Sequence, residues 1–270
     1  MMHKLLFTTG AALAFAMTAS SQTHDHGSSS TSEKPWSQAD AYFDPAEMDA
    51  ARQHMQAHDG NTPIGMIMVN RAEVQSSDDE TVGVWDADAW YGGDINRIWL
   101  KTEGEYSFDD EEFADAEVQL LWSHAISRYF DLQSGIRYDF EPEGQAHAVL
   151  GFQGLAPYWF EVHGAAYLSD SGDLTAGFEA EYELLLTNRL ILQPRLAANL
   201  SAQDISERDL GTGLTDLQAG LRLRYEIRRE FAPYIGVEYS NAFGSTADRI
   251  EAAGGDPDET RLLIGVRTWF

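Results

Sequence analysis

His54, Met55 and His58 place two imidazoles and a thioether in one short stretch. Because His54 and His58 are four residues apart, a helix would carry both rings on one face, with Met48 and Met55 alongside. Imidazole and thioether suit copper in either oxidation state, Cu(I) especially. The same spacing also occurs on solvated helices. Met66 and Met68 sit two apart and would share one face of a strand. Facing water inside a barrel they could pass Cu(I); facing lipid they are plain hydrophobic residues. Arg71 and Glu73 have the opposite parity, which leaves the facing open. Glu161 and His163 share a strand face with Ala165 and Tyr167, as His147 does with Gln153, and inward imidazole beside inward carboxylate can hold a divalent cation. The preferred reading of that face is an electrostatic ladder. In it Arg97, Lys101, Arg137, Arg195, Arg222 and Arg224 pair against Glu103, Glu105, Glu117, Glu179, Glu181 and Glu183.

Catalysis finds little support. Ser123 stands beside His124, but neighbours in one strand face opposite ways, and a nucleophile needs its base within reach. No Gly-rich phosphate loop, zinc-protease helix or isolated acid pair stands out. The chain has no Cys, so any metal must be held by His, Met or carboxylates. A formal charge of −26 excludes nucleic acid as a partner and favours cations.

The elements that must position these residues begin with an export signal. His3 and Lys4 precede an apolar run from Leu5 to Met17 that is too short for a permanent membrane helix, so residues 1–21 read as a secretory signal peptide. Ala19 and Ser21 suit cleavage before Gln22; a cut after Ser20 is the alternative. A chain beginning Gln22-Thr23-His24 would offer Cu(II) a planar set of nitrogens, namely the amine, two amides and the His24 ring, with His26 as an axial contact. The alternative cut or cyclisation of Gln22 would remove that site. Residues 22–62 are polar and poor in large apolar side chains, as expected of a mostly disordered periplasmic arm. Within it Asp44, Pro45 and Glu47 predict a helix running to about His58 and stopping at Gly60.

From Pro63 onward the pattern alternates with period two. Ala114, Ala116, Val118, Leu120 and Trp122 oppose Asp115, Glu117 and Gln119; Glu179, Glu181 and Glu183 oppose Phe178, Ala180 and Tyr182. The strands are long, and the polar side carries the bulk, including Arg195, Arg222, Arg224, Arg261, Arg267 and Glu238. That inverts a soluble sandwich and predicts an all-β fold, a transmembrane antiparallel β-barrel with lipid outside and a wet, charged lumen. Aromatics at Tyr158-Trp159-Phe160, Tyr129-Phe130 and Trp269-Phe270 suit interfacial girdles. Short links at 126–127, 156–157, 187–188 and 228–230 alternate with acidic loops around 109–110, 142–143, 169–170, 204–209 and 247–258, which are expected to be longer. Residues 63–270 then give twelve strands, with ten plus a periplasmic hairpin as the alternative. The final strand ends in Phe270, which resembles the signal read by the barrel assembly machinery.

Several stretches resemble the copper resistance protein B family of outer-membrane proteins. They are Trp90-Tyr91-Gly92-Gly93-Asp94, Trp99-Leu100-Lys101-Thr102-Glu103-Gly104-Glu105, Gly154-Leu155-Ala156-Pro157-Tyr158-Trp159-Phe160-Glu161, and the run from Leu221 to Tyr234. The resemblance covers about Ile64 to Phe270. It implies an outer-membrane location, a periplasm-facing arm, a narrow barrel and a non-catalytic role in copper tolerance. Its partners would be copper ions, outer-membrane lipid, the assembly machinery and a periplasmic copper-handling protein. The arm departs from the family's Met- and His-rich repeats, offering only Met48, Met55 and four His. The competing functions are a filled barrel that only anchors a copper-binding arm, and a barrel enzyme acting on lipid.

Overall fold

The computed structural model describes residues 38–270 other than 59, 61, 78, 79 and 143. The signal peptide, His24 and His26 lie outside the described residues. A helix, α1 (Pro45–His58), starts where the sequence predicts. Asp44 Oδ1 accepts from Ala46 N (2.8 Å) and Glu47 N (3.2 Å), and Pro45 occupies the first position, where no amide is needed.

The strands form one closed antiparallel sheet. Its strands are β1 (Ile64–Ser76), β2 (Thr81–Gly92), β3 (Asn96–Ser107), β4 (Glu112–Ala125), β5 (Phe130–Glu141), β6 (Gln145–Ala156), β7 (Phe160–Ser169), β8 (Leu174–Glu181, continued by Leu184–Leu185), β9 (Leu190–Ser201), β10 (Gly213–Tyr225), β11 (Phe231–Ala242) and β12 (Asp258–Trp269). Both halves of β8 pair with β9, so they count as one strand and the barrel has twelve. The interruption has a covalent cause. Pro194 of β9 accepts from Tyr182 N (3.1 Å) but has no N–H to return, so the ladder opens at Tyr182 and Glu183. The first and last strands pair from Met68 opposite Trp269 to Ser76 opposite Leu262, which closes the barrel.

Burial is inverted throughout. Ile136 and Leu262 are 63% and 69% exposed, whereas Glu73 and Arg222 are 4% and 3% exposed. In water such an apolar exterior would drive aggregation; in a bilayer it is the required surface. Aromatic rings mark both rims: Tyr129, Tyr158, Trp159 and Phe270 at the end with the tight turns, and Phe108, Phe113, Tyr138 and Phe140 at the other.

The facing of β1 is settled by a bulge. Val69 pairs with Ala87 and Arg71 with Asp86, which leaves Asn70 as an extra residue. The bulge shifts the parity of the strand by one, so Met66 and Met68 before it and Arg71, Glu73 and Gln75 after it all turn inward.

The loops correct one expectation. Acidity does not mark length: 108–111, 142–144 and 170–173 are as tight as the turns at the opposite end, and only 202–212 and 243–257 are long. In the tight loops serine hydroxyls accept from turn amides, Ser107 Oγ from Asp110 N (3.2 Å) and Ser169 Oγ from Asp173 N (2.9 Å), while Asp109 Oδ2 reaches across to accept from Thr81 N (2.8 Å) at the start of β2. The loop 243–257 contains a helix, α2 (Gly244–Ala253), which ends at Gly254 with φ 90°; Gly254 N and Gly255 N donate to Glu251 O and Ile250 O. The two long loops are tied together, with Arg249 donating to Leu210 O (2.5 Å) and Gly211 N to Thr246 Oγ1 (2.8 Å).

Phe270 exchanges both backbone hydrogen bonds with Ile67 (2.8 and 3.0 Å), so the last residue is part of the closure. Deleting it should lower the amount of heat-modifiable barrel in the outer membrane while leaving export unchanged, as measured by gel shift on separated membranes.

Candidate functional site

The lumen is built around guanidinium–carboxylate pairs. Arg222 on β10 reaches past β11 and β12 to Glu73 on β1, donating from Nε (2.6 Å) and from a terminal nitrogen (3.0 Å). Tyr234 OH (2.8 Å) and Gln75 Nε2 (2.7 Å) donate to the same carboxylate, and Arg222 also binds Glu238 (2.8 Å). The crossing needs a bare wall beneath it. A Cβ at Gly265 would come within 2.7 Å of Tyr234 Cζ and 2.8 Å of Glu73 Cγ. Charged, two-pronged contacts of this kind are the strong ones.

The ladder continues around the lumen. Arg195 pairs with Glu179 and lies 3.8 Å from Glu181; Arg224 binds Glu183 (2.6 Å) and Gln193 (2.7 Å). Arg137 binds Glu117 (2.6 Å) and Asp139 (2.5 Å), and Arg261 binds Glu105 (3.0 Å). Two expected members behave differently. Arg97 lies over the Trp90 ring (4.7 Å) and Lys101 over Trp99 (5.4 Å), because β3 to β7 line their side of the lumen with Trp99, Leu121, Val149 and Tyr167.

Other participants escaped the sequence reading. Arg71, rephased by the bulge, binds Asp86 (3.2 Å), and Asn70 bridges Asp86 (3.1 Å) and Asp88 (2.7 Å). The break in alternation at Asn70-Arg71 is the one signal that could have shown this. Arg208, from the loop 202–212, reaches down to Asp139 (3.0 Å), which also binds His147 Nε2 (3.1 Å). No local pattern announces that contact.

Between these side chains runs a cavity of about 1410 Å³, bordered by Arg128 and Tyr129 at the turn end and by Arg208 and Leu210 at the loop end. Met68 faces it, with its Sδ 3.7 Å from Arg267, which in turn binds Glu183 (2.9 Å). Met66 shares that face. Glu161 and His163 line the cavity on β7, directly across the ladder from Glu181 and Glu179 on β8. His147 does not join them, being held by Asp139. Among the described residues no group of three or more His, Asp or Glu is arranged to hold a metal ion.

On α1 the two imidazoles do share a face, but the rings stack with centroids 4.2 Å apart and planes 10° from parallel. Parallel rings aim their in-plane lone pairs side by side, so a shared metal would require one ring to turn. Met55 is exposed and Met48 half-buried. Ser123 is buried on the inner face, with its Oγ 3.4 Å from Asp131, while His124 sits at the rim, 2.9 Å from Asn96 Oδ1. The two do not form a dyad.

A closed twelve-stranded barrel with an apolar exterior and a charged lumen is an outer-membrane, porin-like protein. Its fold is similar to that of the solved NanC porin, with a TM-score of 0.51 at 11% identity, covering 75% of this chain and 98% of that one. At the level of sequence, residues 63–270 match the family model described as copper resistance protein B precursor. Copper resistance protein B of Escherichia coli is 46% identical over 206 residues, 76% of this chain and 69% of that protein. The copper resistance protein B homolog of Pseudomonas syringae pv. tomato is 38% identical over 280 residues, covering 98% and 94%. The chain belongs to the copper resistance protein B family.

The Arg222–Glu73 pair gives a direct test of the lumen. Breaking a buried pair on one side strands a charge, at a cost of about 3–5 kcal/mol. Arg222→Leu should therefore lower stability in denaturant titrations of the micelle-folded barrel by about that much, and adding Glu73→Gln should restore part of the loss.

Proposed function

We propose that the barrel binds copper ions in its lumen and moves them between periplasm and exterior, without catalysis. The observation that carries this reading is the luminal cavity, with Met68, Glu161 and His163 on its wall. Thioether, imidazole and carboxylate together offer a passing copper ion weak successive ligands rather than one tight cage, and conduction requires binding weak enough to release. A net charge of −26 raises the local concentration of cations around the mouth. Residues 1–21 act as the export signal and 22–62 as a periplasmic arm, whose His24, His26, Met48, His54, Met55 and His58 collect copper; Met66 lies at the start of the barrel path. A periplasmic copper-handling protein is the natural source or recipient of the ion.

One observation favours a second reading, a filled barrel that anchors the arm. The Arg267–Glu183 pair joins β12 to β8, and Arg208–Asp139 brings a loop down onto β5, so both put side chains across the lumen.

Proteoliposomes separate the two readings. Copper efflux from loaded vesicles should exceed that of empty liposomes and fall roughly tenfold, the equivalent of about 1.4 kcal/mol, in a Met68→Leu/His163→Ala variant. Efflux equal to that of empty liposomes would leave only the anchor. In cells, a deletion strain should show altered copper content and growth under copper stress, with a smaller effect for zinc and with silver compared as the soft monovalent cation.

The arm makes a separate prediction. If the mature chain begins at Gln22, as mass spectrometry can establish, Cu(II) should give the visible band of planar nitrogen ligation, and His24→Ala should abolish it. Survival of the band would move the site to His54 and His58.

A further inference from the structure

Most guanidiniums of this protein are spoken for by carboxylates, but a group at the turn end is not. Arg189, in the link between β8 and β9, and Arg228 and Arg229, between β10 and β11, are exposed and form no ion pair among the described residues. Strands β9 and β10 are neighbours, so the two links lie side by side. Arg189, Arg228 and Arg229 line a recess of about 260 Å³ together with Asn188, Glu226 and Ile227.

The backbone beneath this recess is fixed. Thr187 Oγ1 accepts from Arg189 N (3.2 Å) and Leu190 N (2.9 Å), and Glu226 N donates to Arg189 O (2.8 Å), which ties one link to the other. Trp269 Nε1 donates to Arg229 O (2.9 Å), which anchors the second link to β12. The peptide groups are thus committed while the guanidinium groups remain available. Three cations line the recess against one lining carboxylate, Glu226, and even with the neighbouring Glu230 counted the two links keep a positive excess on a chain of strongly negative charge.

The surroundings say what kind of anion fits. Leu186, Tyr225 and Ile227 are 51%, 48% and 53% exposed on the outer surface beside the recess. An anion seated here would therefore have apolar side chains next to it, at the level where short turns meet the periplasmic leaflet. A free phosphate has no use for that flank, whereas a phospholipid would lay its acyl chains along it. The planar fork of arginine matches a phosphate in two-pronged fashion, and basic clusters at this level bind anionic headgroups.

We propose that Arg189, Arg228 and Arg229 hold the phosphate of an anionic phospholipid from the periplasmic leaflet, with its chains against Leu186, Tyr225 and Ile227. The site is independent of the copper reading and stands or falls separately from it.

The test uses the mature full-length protein, delipidated in detergent and then exposed to vesicles of phosphatidylcholine alone or mixed with phosphatidylglycerol. Native mass spectrometry should show phosphatidylglycerol retained in preference to phosphatidylcholine, and the mixed vesicles should raise the temperature at which the heat-modifiable band unfolds. The triple variant R189Q/R228Q/R229Q should lose both effects. R128Q, which removes a cation from a different link, should keep both. If the triple variant inserts poorly, R189Q and R229Q singly must each lower retention several-fold. Unchanged retention in these variants, or an equal loss in R128Q, would overturn the proposal. Stabilisation by inorganic phosphate as large as that by phosphatidylglycerol would assign the site to free phosphate and overturn the lipid.

Discussion

Hydrocarbon offers no water to a free strand edge, so a sheet that crosses a bilayer must return to its own beginning. The ladder between β1 and β12 meets that requirement, and the rest of the structure depends on it. Closure obliges every side chain to choose lipid or lumen. The apolar half of each alternation therefore goes outward and the polar half is collected in a confined interior. It also explains why the chain is paired up to its last residue: Phe270 supplies the hydrogen bonds that Ile67 would otherwise lack.

Collecting so many carboxylates inside creates the next problem, which the arginines solve unevenly. On the β10–β12 and β1 side, Arg222, Glu73, Tyr234 and Glu238 form a dense set in which each charge has several partners. On the β3–β7 side, Trp99, Leu121, Val149 and Tyr167 form an apolar patch beside the Arg137, Glu117 and Asp139 ion pairs, and Lys101 and Arg137 also lie over aromatic rings. The lumen thus has one densely ionic wall and one wall of mixed ionic and apolar side chains, with the cavity between them. Small residues such as Gly265 let the long side chains lie flat against the ionic wall instead of projecting into the space.

Period-two alternation is a local property, and it made the barrel, the strand count and most inward residues legible in the sequence. The α1 helix was legible for the same reason, since Asp44 and Pro45 act within a single turn. What stayed hidden is not local. The bulge at Asn70 makes Met68 and Arg71 share the lumen despite opposite parity, and only the pairing with Ala87 and Asp86 reveals it. Pro194 breaks the ladder of the strand beside it, not its own. Arg208 finds Asp139 across nearly seventy positions of sequence, and a tight loop such as 108–111 has the composition of a long one. The candidate ligands were each visible as residue types; whether Met68 and His163 face the same space was not.

The balance between bracing and passage is set by where carboxylates outnumber their partners. Around Arg71 stand Asp86, Asp88 and Glu103, with Asn70 neutral between two of them. Glu161 lines the cavity opposite Glu181, with His163 two residues away on the same face. A lumen in which every carboxylate had its own guanidinium would repel a cation as much as attract it, and would serve only as a strut. Here the surplus is acidic and lies along the cavity, beside a thioether and an imidazole. On the proposed reading, such an arrangement would discriminate in two stages: long-range attraction would admit cations of any kind, and the softer ligands would then favour copper over the hard divalent ions that a purely carboxylate lumen would hold equally well.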